Sequence, residues 1–134
     1  MLKKIVTVIL SALIVVVVFF LNATPIFNEH VEALELYTSL GSDGRIVKAD
    51  EKILLGRIKG ESFRCESDFD YLKFINEYDG EILKVEKIPQ GVSYYCYTDK
   101  IKYSKEFNGK KINLHVFVGE NSVTVGSPVI FGSF

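Results

Sequence analysis

The sequence has little excess charge, few histidines and few cysteines, and each scarcity removes a class of function. Sixteen basic residues stand against 17 acidic ones, a net charge of -1. A nucleic-acid partner needs a clustered positive footprint, so no nucleic acid is expected. The only histidines are His30 and His115, and the only cysteines are Cys65 and Cys96. No pair among them has metal-ligand spacing, so no metal site is expected. A glycine-rich phosphate loop is absent. Gly56-Arg57-Ile58-Lys59-Gly60 echoes one only superficially, in a β context. Asp68, Asp70 and Asp79 lack the spacing and closing glutamate of a calcium loop. Either cysteine with His115 would give a nucleophile and a base, but no orienting residue or oxyanion-hole motif accompanies them. Hence no catalytic residue, no cofactor and no enzymatic activity are expected.

What is present is divided unevenly. Of the whole chain, 48% is hydrophobic, but Ile5 to Leu21 is apolar except for Thr7 and Ser11. Lys3 and Lys4 precede this run, and Glu29, Glu32 and Glu35 follow it. That polarity is the export pattern, and it puts the folded part outside the cytoplasmic membrane. At roughly 1.5 Å rise per residue the run is close to the lower limit for spanning, yet longer than an ordinary signal core. Two outcomes are open: a retained single-pass anchor, or a signal peptide cleaved after Ala23 or Ala33 to give a secreted protein. No cysteine follows the run, so a lipid anchor is not indicated. Residues 1–23 therefore read as signal peptide or anchor, 24–44 as linker and 45–134 as the folded domain. Beyond Ala33 about 100 residues remain, enough for one core and too few for a two-domain enzyme. Ten phenylalanines and seven tyrosines supply material for that core and argue against disorder.

Leu34–Leu40 has the look of a short helix, ended by the turn Gly41-Ser42-Asp43-Gly44. Arg45–Cys65 reads as β structure. A helix is expected from about Asp68 to Tyr78, with Ser67 as N-cap and Asp70 completing a capping-box variant. Tyr71, Phe74, Ile75 and Tyr78 form one apolar stripe on it, and Gly80 is placed to end it in the left-handed conformation. The rest reads as strands: Glu81–Ile88, Val92–Thr98, and a hairpin at Asn108-Gly109 pairing Ile101–Phe107 with Lys110–Val118. Val123 and Val125 lead into a last strand broken by Pro128. The fold class is α+β: one helix packed on an antiparallel sheet of about five strands, preceded by the hydrophobic amino-terminal helix.

The tail Gly109-Lys110-Lys111-Ile112-Asn113-Leu114, followed by Val123-Thr124-Val125-Gly126-Ser127-Pro128-Val129-Ile130 and closing on Phe134, resembles the end of the YwmB family. Tyr97-Thr98-Asp99-Lys100-Ile101 is similar to the segment that precedes it there. The resemblance covers residues 92–134. It implies a small exported protein of spore-forming Gram-positive bacteria, a sporulation-related envelope role, and a curved sheet with a TATA-box-binding-protein-like fold. That name describes the fold and implies no DNA binding. Family members are longer, and this chain has room for a single unit. Two copies associating through sheet edges would rebuild the longer architecture.

Two groups of side chains invite a functional reading. Cys65 and Cys96 fall in strands flanking the helix, and outside the cytoplasm they either pair or serve as buried thiols. Lys100, Lys102, Lys105, Lys110 and Lys111 gather near the Asn108-Gly109 hairpin, while Glu66–Glu81 is acidic. The lysines offer contact with anionic envelope polymer or lipid headgroups, or a protected, solvated edge. His115 shares a strand face with Asn113 and Phe117 and is expected to face solvent or to be hydrogen-bonded. The function expected is a binding module of the cell envelope. Its partners are the membrane through the amino-terminal helix, and an envelope protein or a second copy. The alternative is a domain that binds a small ligand or an anionic polymer.

Overall fold

A computed structural model of the protein describes residues 1–23, 26–27, 33–38, 45–48, 53–54 and 58–130. His30, the turn at residues 41–44 and the closing Phe134 lie outside the described residues. Helix α1 spans Leu2–Leu21, without a glycine or proline to interrupt it. Its two hydroxyl side chains turn back onto the helix: Thr7 Oγ1 donates to the Lys3 carbonyl and Ser11 Oγ to that of Val8, both at 2.9 Å. Its large apolar side chains are exposed as far as Val17. Among the described residues no helix is long and apolar enough to cross a membrane.

In chain order the strands are β1 (Asn22–Ala23), β2 (Ala33–Thr38), β3 (Arg45–Lys48), β4 (Ile53–Leu54) and β5 (Ile58–Glu66). Helix α2 (Tyr71–Glu77) follows. Then come β6 (Glu81–Ile88), β7 (Gly91–Tyr97), β8 (Lys105–Phe107), β9 (Lys110–Ile112), β10 (Leu114–Gly119) and β11 (Ser122–Ser127). The main sheet has seven strands in the order β3-β2-β5-β11-β10-β7-β6, all antiparallel. Two small ladders, β1 with β4 and β8 with β9, are not hydrogen-bonded into it.

The α+β class holds, but the sheet is wider than expected, and one of its strands, β2, comes from the stretch read as linker. The helix expected over Leu34–Leu40 is a strand over its described residues: Ala33–Thr38 pairs with β5 on one side and β3 on the other. A segment so short is a marginal helix by itself, whereas an open sheet edge offers it a full set of backbone partners. Phe27, from the same stretch, is completely buried. Residues 26–27 and 33–38, read as linker, therefore belong to the folded unit.

Helix α2 is capped by Asp70, not Ser67. The Asp70 carboxylate accepts from the Lys73 backbone N–H at 3.0 Å. Starting the helix there keeps Phe74 and Ile75 on the buried face. At the other end the Gly80 N–H donates to the Ile75 carbonyl and the Asp79 N–H to that of Asn76, the two bonds of a Schellman close. The left-handed residue in it is Asp79, with φ 51°, not Gly80. Glycine is required at 80 for space: a Cβ there would stand 2.9 Å from Ile75 Cγ2.

The core lies between α2 and one face of the sheet. Phe27 sits at its centre, with ring centroids 5.3 Å from Phe63, 5.8 Å from Phe74 and 5.8 Å from Tyr78. Leu114 and Val116 from β10, and Val123 and Val125 from β11, close the floor. The opposite face of these central strands is also buried, carrying His115 and Phe117 on β10 and Thr124 on β11. Ile130 packs on that face so closely that a Cβ at Gly126 would lie 2.8 Å from it.

The Asn108-Gly109 turn forms as expected, with φ 50° and 74°, the positive pair a type I′ turn demands. Its ladder is short: only Lys105–Phe107 and Lys110–Ile112 pair. The expected strand Lys110–Val118 is divided at Asn113. Before that residue the chain pairs with β8; after it, the chain enters the main sheet.

Candidate functional site

The structure separates the two cysteines. Cys65 pairs with Val123 in β5–β11, and Cys96 pairs with Leu114 in β7–β10. Strands β11 and β10 stand between their strands. Three strand spacings make about 14 Å, whereas the Cα atoms of a disulfide lie within about 7 Å. Both thiols are free, so of the two alternatives the disulfide is the one corrected. Burial pushes the Cys96 thiol up to about 12. Burial, then Asp68 and Glu66, raise Cys65. Both thiols belong to the α2 side of the sheet, as members or neighbours of the core. His115 belongs to the other side, so neither cysteine shares a face with it.

The five lysines do not form one patch. Lys100 serves the end of α2: its Nζ lies 2.7 Å from Asp79 Oδ2 and donates to the Glu77 carbonyl at 2.8 Å. A cation there also matches the negative end of the helix dipole. Lys111 stands opposite Glu106 across the hairpin ladder. Lys102 is exposed on the loop before β8. Lys105 and Lys110 share the hairpin face of Phe107 and Ile112, because each is register partner to one of these two. That face is laid against the sheet.

The result is a small pocket between the hairpin and β6, of about 110 Å³. Its walls include Leu83, Tyr95, Phe107 and Ile112, and Lys84 and Lys110 also line it. The Phe107 ring stacks on Tyr95 at 4.8 Å with 16° between planes, and Tyr95 stacks on His115 at 4.5 Å and 18°. Three rings thus run from the hairpin into the sheet. Lys84 Nζ lies 4.9 Å from the Phe107 centroid and 5.9 Å from that of Tyr95. A cation over ring faces is held by their quadrupoles. The Tyr95 hydroxyl donates to Glu86 Oε2 at 3.2 Å. The volume admits a group of a few heavy atoms, well below a drug-sized ligand site. Sequence reading missed Lys84, which lies in another strand 26 positions before Lys110. The signal available was its place in an edge strand facing the aromatic Val92–Thr98 segment.

Buried polar side chains position these elements. Asn113 Oδ1 accepts from the Thr98 N–H at 2.9 Å, and its Nδ2 donates to the carbonyls of Thr98 and Ile101 at 2.7 and 2.9 Å. It fastens the loop that leads into the hairpin, and Thr98 Oγ1 in turn donates to the Tyr78 carbonyl. His115 is buried and hydrogen-bonded, not solvent-facing. The Ile130 N–H donates to its Nδ1 at 3.1 Å, so the ring proton sits on Nε2, 3.2 Å from Ser93 Oγ. Burial lowers its pKa to about 4, and the ring is neutral. Glu61 lies at the other end of the core, accepting from Phe27 N–H at 2.7 Å and from the Tyr103 hydroxyl at 3.4 Å. Among the described residues no three His, Cys, Asp or Glu side chains gather as a metal-ion cluster. No known protein family, curated protein or solved structure matches the chain.

Proposed function

We propose that this is a membrane-tethered, extracytoplasmic binding module of the cell envelope, and that the pocket under the hairpin takes an anionic group of an envelope polymer. The observation that carries the reading is the pair Lys84 and Lys110 at one apolar, aromatic-walled pocket. The Lys84 ammonium on the ring faces is partly desolvated, and a phosphate or carboxylate is the natural partner for it and the Lys110 cation beside the same pocket. No catalytic step belongs to this proposal: both thiols are on the core side, and His115 has its two ring nitrogens engaged.

The support for tethering is the sequence pattern of Lys3 and Lys4 before an apolar run, since α1 over its described residues falls short of a spanning helix. Ile5–Leu21 is one apolar run, and its only hydroxyls are satisfied by the helix's own carbonyls, as a lipid environment requires. Of the two cleavage positions, Ala33 is disfavoured. Removing the chain before Leu34 would take Phe27 out of the core. Retention of α1, or cleavage after Ala23, keeps it. The YwmB-like curved sheet and a sporulation-related role belong to this proposal and do not carry it.

The test is a titration of the full chain, held in neutral detergent, with soluble poly(glycerol phosphate). Binding is expected to weaken with salt, and to fall roughly tenfold for each of Lys84→Gln and Lys110→Gln. Equal binding by the double variant, or equal binding to uncharged dextran, would contradict the proposal.

A further inference from the structure

We infer that β6 is a self-pairing edge, and that two copies of this chain join β6 to β6 antiparallel about a two-fold axis at Val85. Strand β6 ends the main sheet, and among the described residues no strand lies beyond it. Two of its four apolar residues are left uncovered: Ile82 is 40% and Val85 48% exposed. Both lie on the α2 side, since they pair with Cys96 and Tyr94. Such an edge presents unpaired N–H and C=O groups to any second strand.

The register follows from symmetry and charge. In a two-fold antiparallel pair, directly opposed side chains share a face, so the axis falls on a residue and not between two. An axis at Lys84, Glu86 or Lys87 sets like charges against each other. An axis at Leu83 falls on the irregularity where the β6–β7 register shifts between Ile82 and Lys84. An axis at Val85 opposes valine to valine, and sets Lys84 against Glu86 of the second copy twice over. Opposite charges facing across strands stabilise the pairing, and like charges oppose it. Lys84 and Glu86 lie together on the face of Tyr95 and Ser93, their register partners, so both opposed pairs lie on the pocket side of the joined sheet, where β6 pairing and an anionic ligand compete for the Lys84 ammonium. Pairing of β6 with the far edge β3 would propagate without closing, whereas β6 with β6 closes as a dimer. Tethering both copies to one membrane raises their effective concentration.

The test is oxidative cross-linking of the full chain reconstituted in neutral lipid vesicles. Val85→Cys is expected to give a covalent dimer, because the two thiols meet at the axis. Asn108→Cys, at the hairpin tip, is expected to stay at the wild-type level. Lys84→Glu in the Val85→Cys background should reduce the dimer roughly tenfold, and adding Glu86→Lys should restore it by reversing both pairs. Val85→Cys cross-linking no better than Asn108→Cys would overturn the inference. So would a charge reversal that brings no recovery while the variant keeps the wild-type circular dichroism.

Discussion

The backbone N–H of Phe27 donates to Oε1 of Glu61 over 2.7 Å, joining the segment after α1 to the middle of β5. Glu61 is completely buried. Burial pushes its carboxyl above the ordinary 4.5, and the bonds from Ile26, Phe27 and Tyr103 pull partly against that. A raised carboxyl favours the protonated form, so its stabilisation is complete below the unfolded pKa and is lost as pH rises through the folded one. Glu61→Gln keeps the acceptor without the charge and is expected to hold or raise stability at neutral pH. Glu61→Leu leaves the Phe27 N–H unpaired and should cost about 1–3 kcal/mol. Urea denaturation of the two variants checks the contrast.

Phe27 itself fills the centre of the aromatic cluster formed with Phe63, Phe74 and Tyr78. Phe27→Ala should cost about 3–5 kcal/mol, the range for truncating a buried ring. The chain found in cells is expected to retain this residue. Mass spectrometry of membrane and soluble fractions should detect no folded species beginning at Leu34; finding one as the main product would contradict the placement of Phe27.

His115 makes stability depend on pH. Its pKa falls from 6.5 to about 4 on burial. The unfolded chain therefore binds the proton more readily between these values. The stabilisation is complete above 6.5 and is lost as pH falls towards 4, with a full size of about 3 kcal/mol. His115→Gln should flatten this part of the profile, as read from denaturation midpoints across that interval.

Asn113 holds the loop that carries the hairpin. Asn113→Ala removes three bonds and strands the buried Thr98 N–H, at an expected cost of about 3 kcal/mol. Asn113→Asp keeps the acceptor for Thr98 but loses both donated bonds. Hydrogen exchange should show protection lost at Thr98 in the alanine variant and kept longer in the aspartate one.

What can be read locally in this sequence is also what forms locally. The Asn108-Gly109 turn needs only its own two backbone conformations, and the stripe of α2 needs only its own periodicity. Phe74 and Ile75 are buried as that stripe requires. The features that escape are settled across distance. Ala33–Thr38 carries no strong strand pattern and becomes a strand because β5 offers it an edge. Asn113 looks like any polar residue inside an alternating run, and only the loop folded against it makes it a staple. Cys65 and Cys96 look bridgeable in sequence, yet strand order puts β11 and β10 between them. The candidate site was half legible. The basic hairpin is visible in the residues, but Lys100 is drawn to α2 and Lys84 arrives from β6, both through tertiary packing.

Chemical-shift mapping on the isotope-labelled full chain in neutral micelles, titrated with poly(glycerol phosphate), tests the anion-binding face most directly. The resonances expected to move are those of Lys84, Tyr95, Phe107 and Lys110, with the movement suppressed by salt. Shifts confined to α2 and the acidic segment before it, or no saturable shift at all, would contradict it.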